Sequence, residues 1–250
     1  MKMAGNTIVI TGGAAGIGLA LTEPLIKKGN KIKICDRDKK KLDEVKARYP
    51  EIDVFVCDLM DKAQRLEFSK WATSDGTPNM LINNAGIQRT YFFTKPHAGG
   101  YGAGDNEIEI NLNAPIELCE LFLPCLLEKP VAAILNIASS LATVPDIKMP
   151  VYCASKAGIH AFTRCLRQQL ANTSVRIFEA QPPAVESGLN PEGRASSPPP
   201  SLMPADEYAA FVIDGLEADK FEINSKLVSE LQSKTLEEMY EYFLVPTNPR

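Results

Sequence analysis

Two histidines in 250 residues, six cysteines without a CxxC pair, and no apolar run near the ~18 residues of a membrane span set the first limits on this chain. His97 and His160 stand at no metal-ligand spacing to Cys35, Cys57, Cys119, Cys125, Cys153 or Cys165, so no metal site is expected and the cysteines read as buried, reduced thiols. Excess charge of one sign is also missing. With 27 basic against 31 acidic residues, the net charge of −4 excludes an electrostatically driven nucleic-acid partner. The opening MKMAGNTIVITGG has too short an apolar stretch for an export signal, and neither end carries a lipidation motif. A cytoplasmic protein without a membrane partner is the expectation, and the glycosylation-like Asn172-Thr173-Ser174 is then idle.

What is present is an ordinary globular composition, 45% apolar and 23% charged, with one excess. Of 18 prolines, seven (Pro182, Pro183, Pro191, Pro198, Pro199, Pro200 and Pro204) fall within 23 residues. Short β-branched runs at Thr7–Thr11, Lys31–Cys35, Val54–Cys57, Met80–Asn83, Ala133–Ala138 and Val175–Ala180 predict strands. Helical patterns at Leu19–Lys28, Asp38–Arg48, Asp61–Ala72, Glu107–Leu127 and Tyr152–Ala171 alternate with them. Such alternation predicts a single α/β domain, a doubly wound parallel sheet with helices on both faces and its ligand site at the carboxyl ends of the strands. Ser187–Pro204 reads as a long loop within that domain, and an amphipathic helix is expected from about Leu227 to Phe243, after a last strand at Phe221–Ile223.

The first strand runs into Thr11-Gly12-Gly13-Ala14-Ala15-Gly16-Ile17-Gly18 and then into an apolar helix. Glycines there let the backbone turn tightly and approach a diphosphate, whose charge the amides of a helix N-terminus stabilise. The spacing departs from GxGxxG and fits T-G-x-x-x-G-x-G. Asn83-Asn84-Ala85-Gly86 ends the fourth strand, and Tyr152-Cys153-Ala154-Ser155-Lys156 opens a helix, with Ser139 thirteen residues before the tyrosine. A spacing of four puts Tyr152 and Lys156 on one helical face. A free tyrosine titrates near ~10, and an adjacent ammonium lowers that value by favouring phenolate. Taken in order over about residues 6 to 190, these motifs resemble the short-chain dehydrogenase/reductase family. Asn84-Ala85-Gly86-Ile87-Gln88, Pro150-Val151-Tyr152-Cys153-Ala154 and Pro182-Pro183 with Gly188-Leu189-Asn190 look like its DltE-type branch.

The resemblance implies a Rossmann fold, a homodimer or homotetramer, and hydride transfer between NAD, or NADP, and a carbonyl or secondary alcohol of a small molecule. Tyr152 is then the general acid or base, Ser139 holds the substrate oxygen, and Lys156 tunes the tyrosine and bonds the nicotinamide ribose. Asn111 matches the family's helix asparagine, whose backbone carbonyl positions a water that relays protons to the lysine. The nucleotide is expected against Gly12, Gly13, Ala15, Gly16, Ile17, Gly18, Asp36, Arg37, Asp58, Leu59, Asn84, Ala85, Gly86, Tyr152, Lys156, Pro182, Val185 and Ser187. A carboxylate at Asp36 accepts both ribose hydroxyls of NAD and repels a 2′-phosphate, and Ala15 stands where NADP-preferring members carry a basic residue. Arg37 and the lysines at 27, 28, 31, 33 and 39–41 pull the other way, although most read as a solvated helix face. Asp58 either contacts adenine or caps the following helix. A nucleotide-binding sensor or scaffold without turnover is the alternative reading, against which the intact Asn111, Ser139, Tyr152 and Lys156 weigh.

The residues also depart from the family pattern. Where P-G-x-V-x-T is usual, the chain has Pro182-Pro183-Ala184-Val185-Glu186-Ser187, and Pro183 can neither reach positive φ nor donate a hydrogen bond. Pro24 is expected to bend the first helix. Pro115 stands four residues after Asn111, where an α-helix needs an N–H for the Asn111 carbonyl, so that carbonyl is left available for a relay water or the helix is merely kinked. Tyr91-Phe92-Phe93 form either a wall over the nicotinamide or part of the core, His97 reads as a substrate contact or an exposed side chain, and the proline cluster reads as a stiffened lid.

Overall fold

The computed structural model describes residues 1–95, 100, 104, 106–190, 202–235 and 237–238. Seven parallel strands, β1 (Thr7–Thr11), β2 (Lys31–Asp36), β3 (Asp53–Val56), β4 (Met80–Asn83), β5 (Ala132–Ile137), β6 (Val175–Gln181) and β7 (Glu222–Asn224), form one sheet. Its order is β3-β2-β1-β4-β5-β6-β7, so the direction of winding reverses between β1 and β4. At such a switch point the loops above neighbouring strands part to opposite sides and leave a crevice.

Among the described residues seven α-helices flank the sheet: α1 (Gly16–Lys27), α2 (Lys39–Arg48), α3 (Lys62–Thr73), α4 (Ala114–Leu127), α5 (Pro150–Gln169), α6 (Ala205–Glu217) and α7 (Lys226–Gln232). Leu21, Leu25, Leu42, Val45, Val212 and Leu216 carry α1, α2 and α6 onto one face, against Ile8, Ile10, Ile34 and Phe178. Phe68, Leu118, Phe122 and Leu166 carry α3, α4 and α5 onto the other, against Val9, Leu81, Ile134 and Ile177. A strand covered on both faces reads as a continuous apolar run, which is why β1, β4 and β5 were legible without alternation.

Several expectations shift. Helix α6 was not anticipated, although Pro204 at its N-cap, Asp206 and Glu207 in its first turn, and buried Tyr208, Ala209, Val212, Ile213 and Leu216 at helical spacing all mark it. The adjoining prolines masked that signal. Helix α1 starts at Gly16 rather than Leu19 and continues through Pro24 to Lys27. The long helix expected over Glu107–Leu127 contains a π turn at Glu109–Asn113 before α4 begins. That segment, Glu109–Leu127, is long and apolar enough to cross a bilayer, with a mean hydropathy of 1.3, yet it buries Leu118, Phe122 and Leu126 against the sheet.

The last strand lies one residue later than expected, and the following helix is described only over Lys226–Gln232. Residues 236 and 239–243 of the expected C-terminal helix, residues 191–201 of the expected lid, and His97 lie outside the described residues. Cys35, Cys57, Cys119 and Cys153 are buried, whereas Cys125 is half-buried and Cys165 is exposed, so the thiols are not uniformly interior. Lys33 is a further correction to the solvated-lysine reading. It is buried on β2, with Nζ 2.9 Å from both Asp75 Oδ2 and the Ala72 carbonyl, and it sits over the Trp71 ring.

Candidate active site

At the switch point the carboxyl ends of the strands surround a cleft of about 210 Å³. Of the residues expected against the nucleotide, Gly12, Ala15, Gly16, Ile17, Asp36, Arg37, Asp58, Leu59, Asn84, Ala85, Gly86, Tyr152, Lys156, Pro182 and Ser187 are brought together on its wall. Cys35, Cys57, Ile87, Ile110, Ile137, Ala138 and Leu189 complete the wall. Cys35, Cys57, Ile137 and Ala138 stand at or just past strand ends, Ile110 in the π turn, and Ile87 and Leu189 in the loops after β4 and β6, so only the packing of these elements brings them together. Gly13, Gly18, Asn111, Ser139 and Val185 are not among the lining residues, and each adjoins or lies between ones that are.

The amino-terminal end of the cleft is made of backbone. Gly12 and Gly16 have φ of +62° and +52°, which an L side chain rarely adopts. A Cβ on Gly18 would land on the Gly12 carbonyl and 2.6 Å from Asn84 Nδ2, so the glycine lets α1 press against the turn that precedes it. Asn84 lines the cleft, and its amide nitrogen also braces the turn beside it. Its Nδ2 donates to the carbonyls of Thr11 (3.0 Å) and Gly12 (3.2 Å), while Thr11 Oγ1 accepts from the N–H groups of Asn84 and Ala85 (3.0 and 3.1 Å). Thr11, absent from the predicted site, thereby locks the glycine turn to the end of β4.

Helix α1 has no side-chain cap at Ala15 and no acidic residue in its first turn. Its first amides and the positive end of its dipole are therefore available to an anion in the cleft, which fits a dinucleotide diphosphate. At the end of β2, Asp36 Oδ1 accepts from Asp38 N–H (3.1 Å) and Oδ2 from Ala14 N–H (3.4 Å), which fixes the carboxylate beside the turn. The helix-cap alternative for Asp58 falls to Asp61, whose Oδ1 accepts from Ala63 and Gln64. Asp58 instead closes a local turn by accepting from Met60 N–H (2.9 Å). The exposed lysines of α2 pair with Asp38, Asp43 and Glu44 and do not converge on the cleft.

The catalytic end is made of buried side chains. Tyr152 and Lys156, 4% exposed each, lie one turn apart on α5, with Nζ 5.7 Å from the phenol ring centroid. Lys156 Nζ donates to the Ile137 carbonyl (2.9 Å). Burial lowers the Lys156 pKa to about 8, and the charge of Glu179 opposes that fall. Ser139, at the end of β5, accepts from Leu141 N–H through Oγ (3.1 Å), which leaves its own O–H to donate. Asn111 clamps the loop after β4 in both directions: Oδ1 accepts from Ile87 N–H (2.9 Å), and Nδ2 donates to the Ile87 carbonyl (2.8 Å) and to Ser155 Oγ (3.1 Å). The π turn is centred on this residue, and Pro115 has no N–H to offer its carbonyl.

The proline-altered turn after β6 also reaches the site. The Pro182 carbonyl accepts from Ser140 N–H (3.0 Å), Val185 is buried in a bridge to Met203, and the Ser187 backbone lies over Gly16. The turn thus brings Pro182 and Ser187 to the cleft wall on either side of Pro183. The aromatic segment divides: Tyr91 is buried, Phe92 and Phe93 are exposed, and none of the three lines the cleft.

The sequence profile of the short chain dehydrogenase family matches residues 6–197. An uncharacterized oxidoreductase, DltE of Bacillus subtilis (strain 168), is 42% identical over 237 residues, which covers 94% of each chain. Among solved structures, a short chain dehydrogenase of Burkholderia cenocepacia J2315 in complex with NADP superposes with a TM-score of 0.83 at 24% identity, over 98% of this chain and 100% of that one. A short chain dehydrogenase/reductase of Burkholderia phymatum in complex with NAD gives 0.84 at 21% identity, over 100% and 99%. At these identities the two structures speak for the fold.

Proposed function

The chain belongs to the short-chain dehydrogenase family, and from that premise we propose that it is an NAD(P)-dependent oxidoreductase acting on a carbonyl or secondary alcohol of a small molecule. The observation that carries this reading is the buried Tyr152–Lys156 pair on the same cleft as the uncapped N-terminus of α1. The nicotinamide, when bound, supplies or accepts the hydride. The chain's own residues hold it and manage the proton. First-turn amides of α1 would hold the diphosphate, and the Asp36 carboxylate would accept the ribose hydroxyls, which favours NAD over NADP.

In reduction the Tyr152 phenol donates a proton to the substrate oxygen, and in oxidation the phenolate accepts one. Lys156, its ammonium close to the ring, stabilises the phenolate that forms. The Ser139 O–H donates to the same substrate oxygen. Asn111 spends its side chain on Ile87 and Ser155, so its backbone carbonyl is the group that would act as the acceptor on the proton path to Lys156, as in the family.

The test is NADH and NADPH consumption with a panel of ketones and diketones. Tyr152→Phe is expected to lower turnover by about 10²–10⁴-fold while leaving cofactor affinity within a few-fold. Cofactor binding with no turnover on any panel member, or a fully active Tyr152→Phe, overturns the enzyme reading, the former in favour of a nucleotide sensor.

A further inference from the structure

One turn beyond Lys156, the same face of α5 carries a polar pair that the proposed reaction does not use. His160 Nδ1 lies 2.8 and 2.9 Å from the two oxygens of Glu179, a β6 residue with no exposed surface. Gln181, two residues along the same face of β6, donates to Glu179 Oε1 (3.2 Å) and is 3.1 Å from His160 Nδ1. Gln232 of α7 donates to Gln181 Oε1 (2.6 Å) and reaches Thr143 Oγ1 (3.4 Å), just past the 3₁₀ turn (Ser140–Ala142) that follows Ser139. A carboxylate without exposed surface is costly to bury unless charge and hydrogen bonds compensate it. His160, which holds this carboxylate, stands four residues after Lys156 on the same face of α5, and Lys156 Nζ is bound to the carbonyl of Ile137, on the strand that pairs with β6, so the two buried charges occupy neighbouring positions.

We propose that Glu179, clamped by His160 and Gln181, is a positioning residue that acts as the buried counter-charge of the Lys156 ammonium. The titratable groups around the cluster are Tyr152 and His160 on α5, Glu179 on β6 and Tyr208 on α6; α7 presents the neutral Gln232. Arg164 and Arg167 are engaged by Glu222 at the sheet edge. Burial drives Lys156 toward its neutral form and Glu179 works against that, so loss of the carboxylate charge releases the lysine proton at lower pH. Only the catalytic consequence rests on the oxidoreductase reading.

The experiment follows the Lys156 Nζ resonance by ¹⁵N NMR as the pH is raised, in the wild type and in Glu179→Gln, with Lys156→Arg as the assignment control. The wild-type midpoint is expected near about 8, and the Glu179→Gln midpoint about one unit lower. The alkaline limb of ketone reduction moves down with it, so activity falls about fivefold at pH 8 and hardly at pH 6. Glu179→Asp, which keeps the charge, restores most of the shift.

An unchanged Lys156 midpoint, or a loss of activity uniform across pH, overturns the proposal. Should Glu179→Gln not fold, Lys156→Met is read at the Glu179 carboxyl ¹³C resonance, whose midpoint rises if the two charges face each other and stays in place if they do not. If no ketone is turned over by the wild type, the NMR titration still decides the matter, and the failure belongs to the oxidoreductase reading alone.

Discussion

At the amino-terminal end of the cleft the wall is backbone, held in shape by what is missing: Cβ atoms at Gly12, Gly16 and Gly18, and a cap at Ala15. At the catalytic end the wall is side chain, held in shape by a dense buried network that includes Asn111, Ser155, Glu179, His160 and Gln181. One end binds a shape and a charge common to many nucleotides, so backbone amides suffice. The other must move a proton, which needs titratable groups at fixed distances in a dry environment. The first end should therefore fail when volume is added, and the second when polarity is removed.

The largest break is at the catalytic end, where Tyr152→Phe removes one oxygen and about 10²–10⁴ of turnover without altering the glycine turn. Next comes Gly18→Ala at the other end. Its Cβ would meet the Gly12 carbonyl and Asn84 Nδ2, neither of which can retreat without opening the turn, so the strain is about 1–3 kcal/mol. NADH titration should show affinity weakened by about tenfold or more, and urea denaturation a lower midpoint. Unchanged affinity would remove the claim that this end is built by close backbone approach.

A smaller effect is expected at Asp36→Asn, which keeps the acceptor for Asp38 N–H and removes only the charge. The ratio of NADPH to NADH affinity should rise about tenfold, which corresponds to about 1.4 kcal/mol, and a constant ratio would deny Asp36 its role in cofactor choice. The smallest change is Gly158→Ala on α5. There the added Cβ meets the far end of the Leu112 side chain at 2.9 Å, which can rotate away, and alanine's better helix propensity offsets the adjustment. Stability should stay within about 1 kcal/mol; a loss as large as that of Gly18→Ala would erase the distinction between the two ends.

Much of this was legible along the chain. Apolar runs bounded by glycine, asparagine and aspartate marked the first six strands, and the four-residue spacing of Tyr152 and Lys156 placed both on one helical face. Helix α6 is harder to read in the sequence because its regular 3.6-residue pattern follows directly on a run of prolines. The π turn at Glu109–Asn113 was missed because periodicity does not distinguish one extra residue per turn. Asp61 rather than Asp58 as the cap of α3 is a matter of which carboxylate meets the free amides, and two nearby aspartates look alike in sequence.

By itself, then, the sequence determined the order of the strands and of every helix but α6, the sharp glycine turn and the pairing of Tyr152 with Lys156, because these depend on local sterics and on spacing within a single element. The tertiary structure alone decided that Asn84 ties the glycine turn to the end of β4 through Thr11, that Lys33 is buried against Asp75, and that His160 meets Glu179 one helical turn beyond Lys156. Those contacts join residues 19 to 73 positions apart, and their partners are set by the parallel register of neighbouring strands and the helices packed on them.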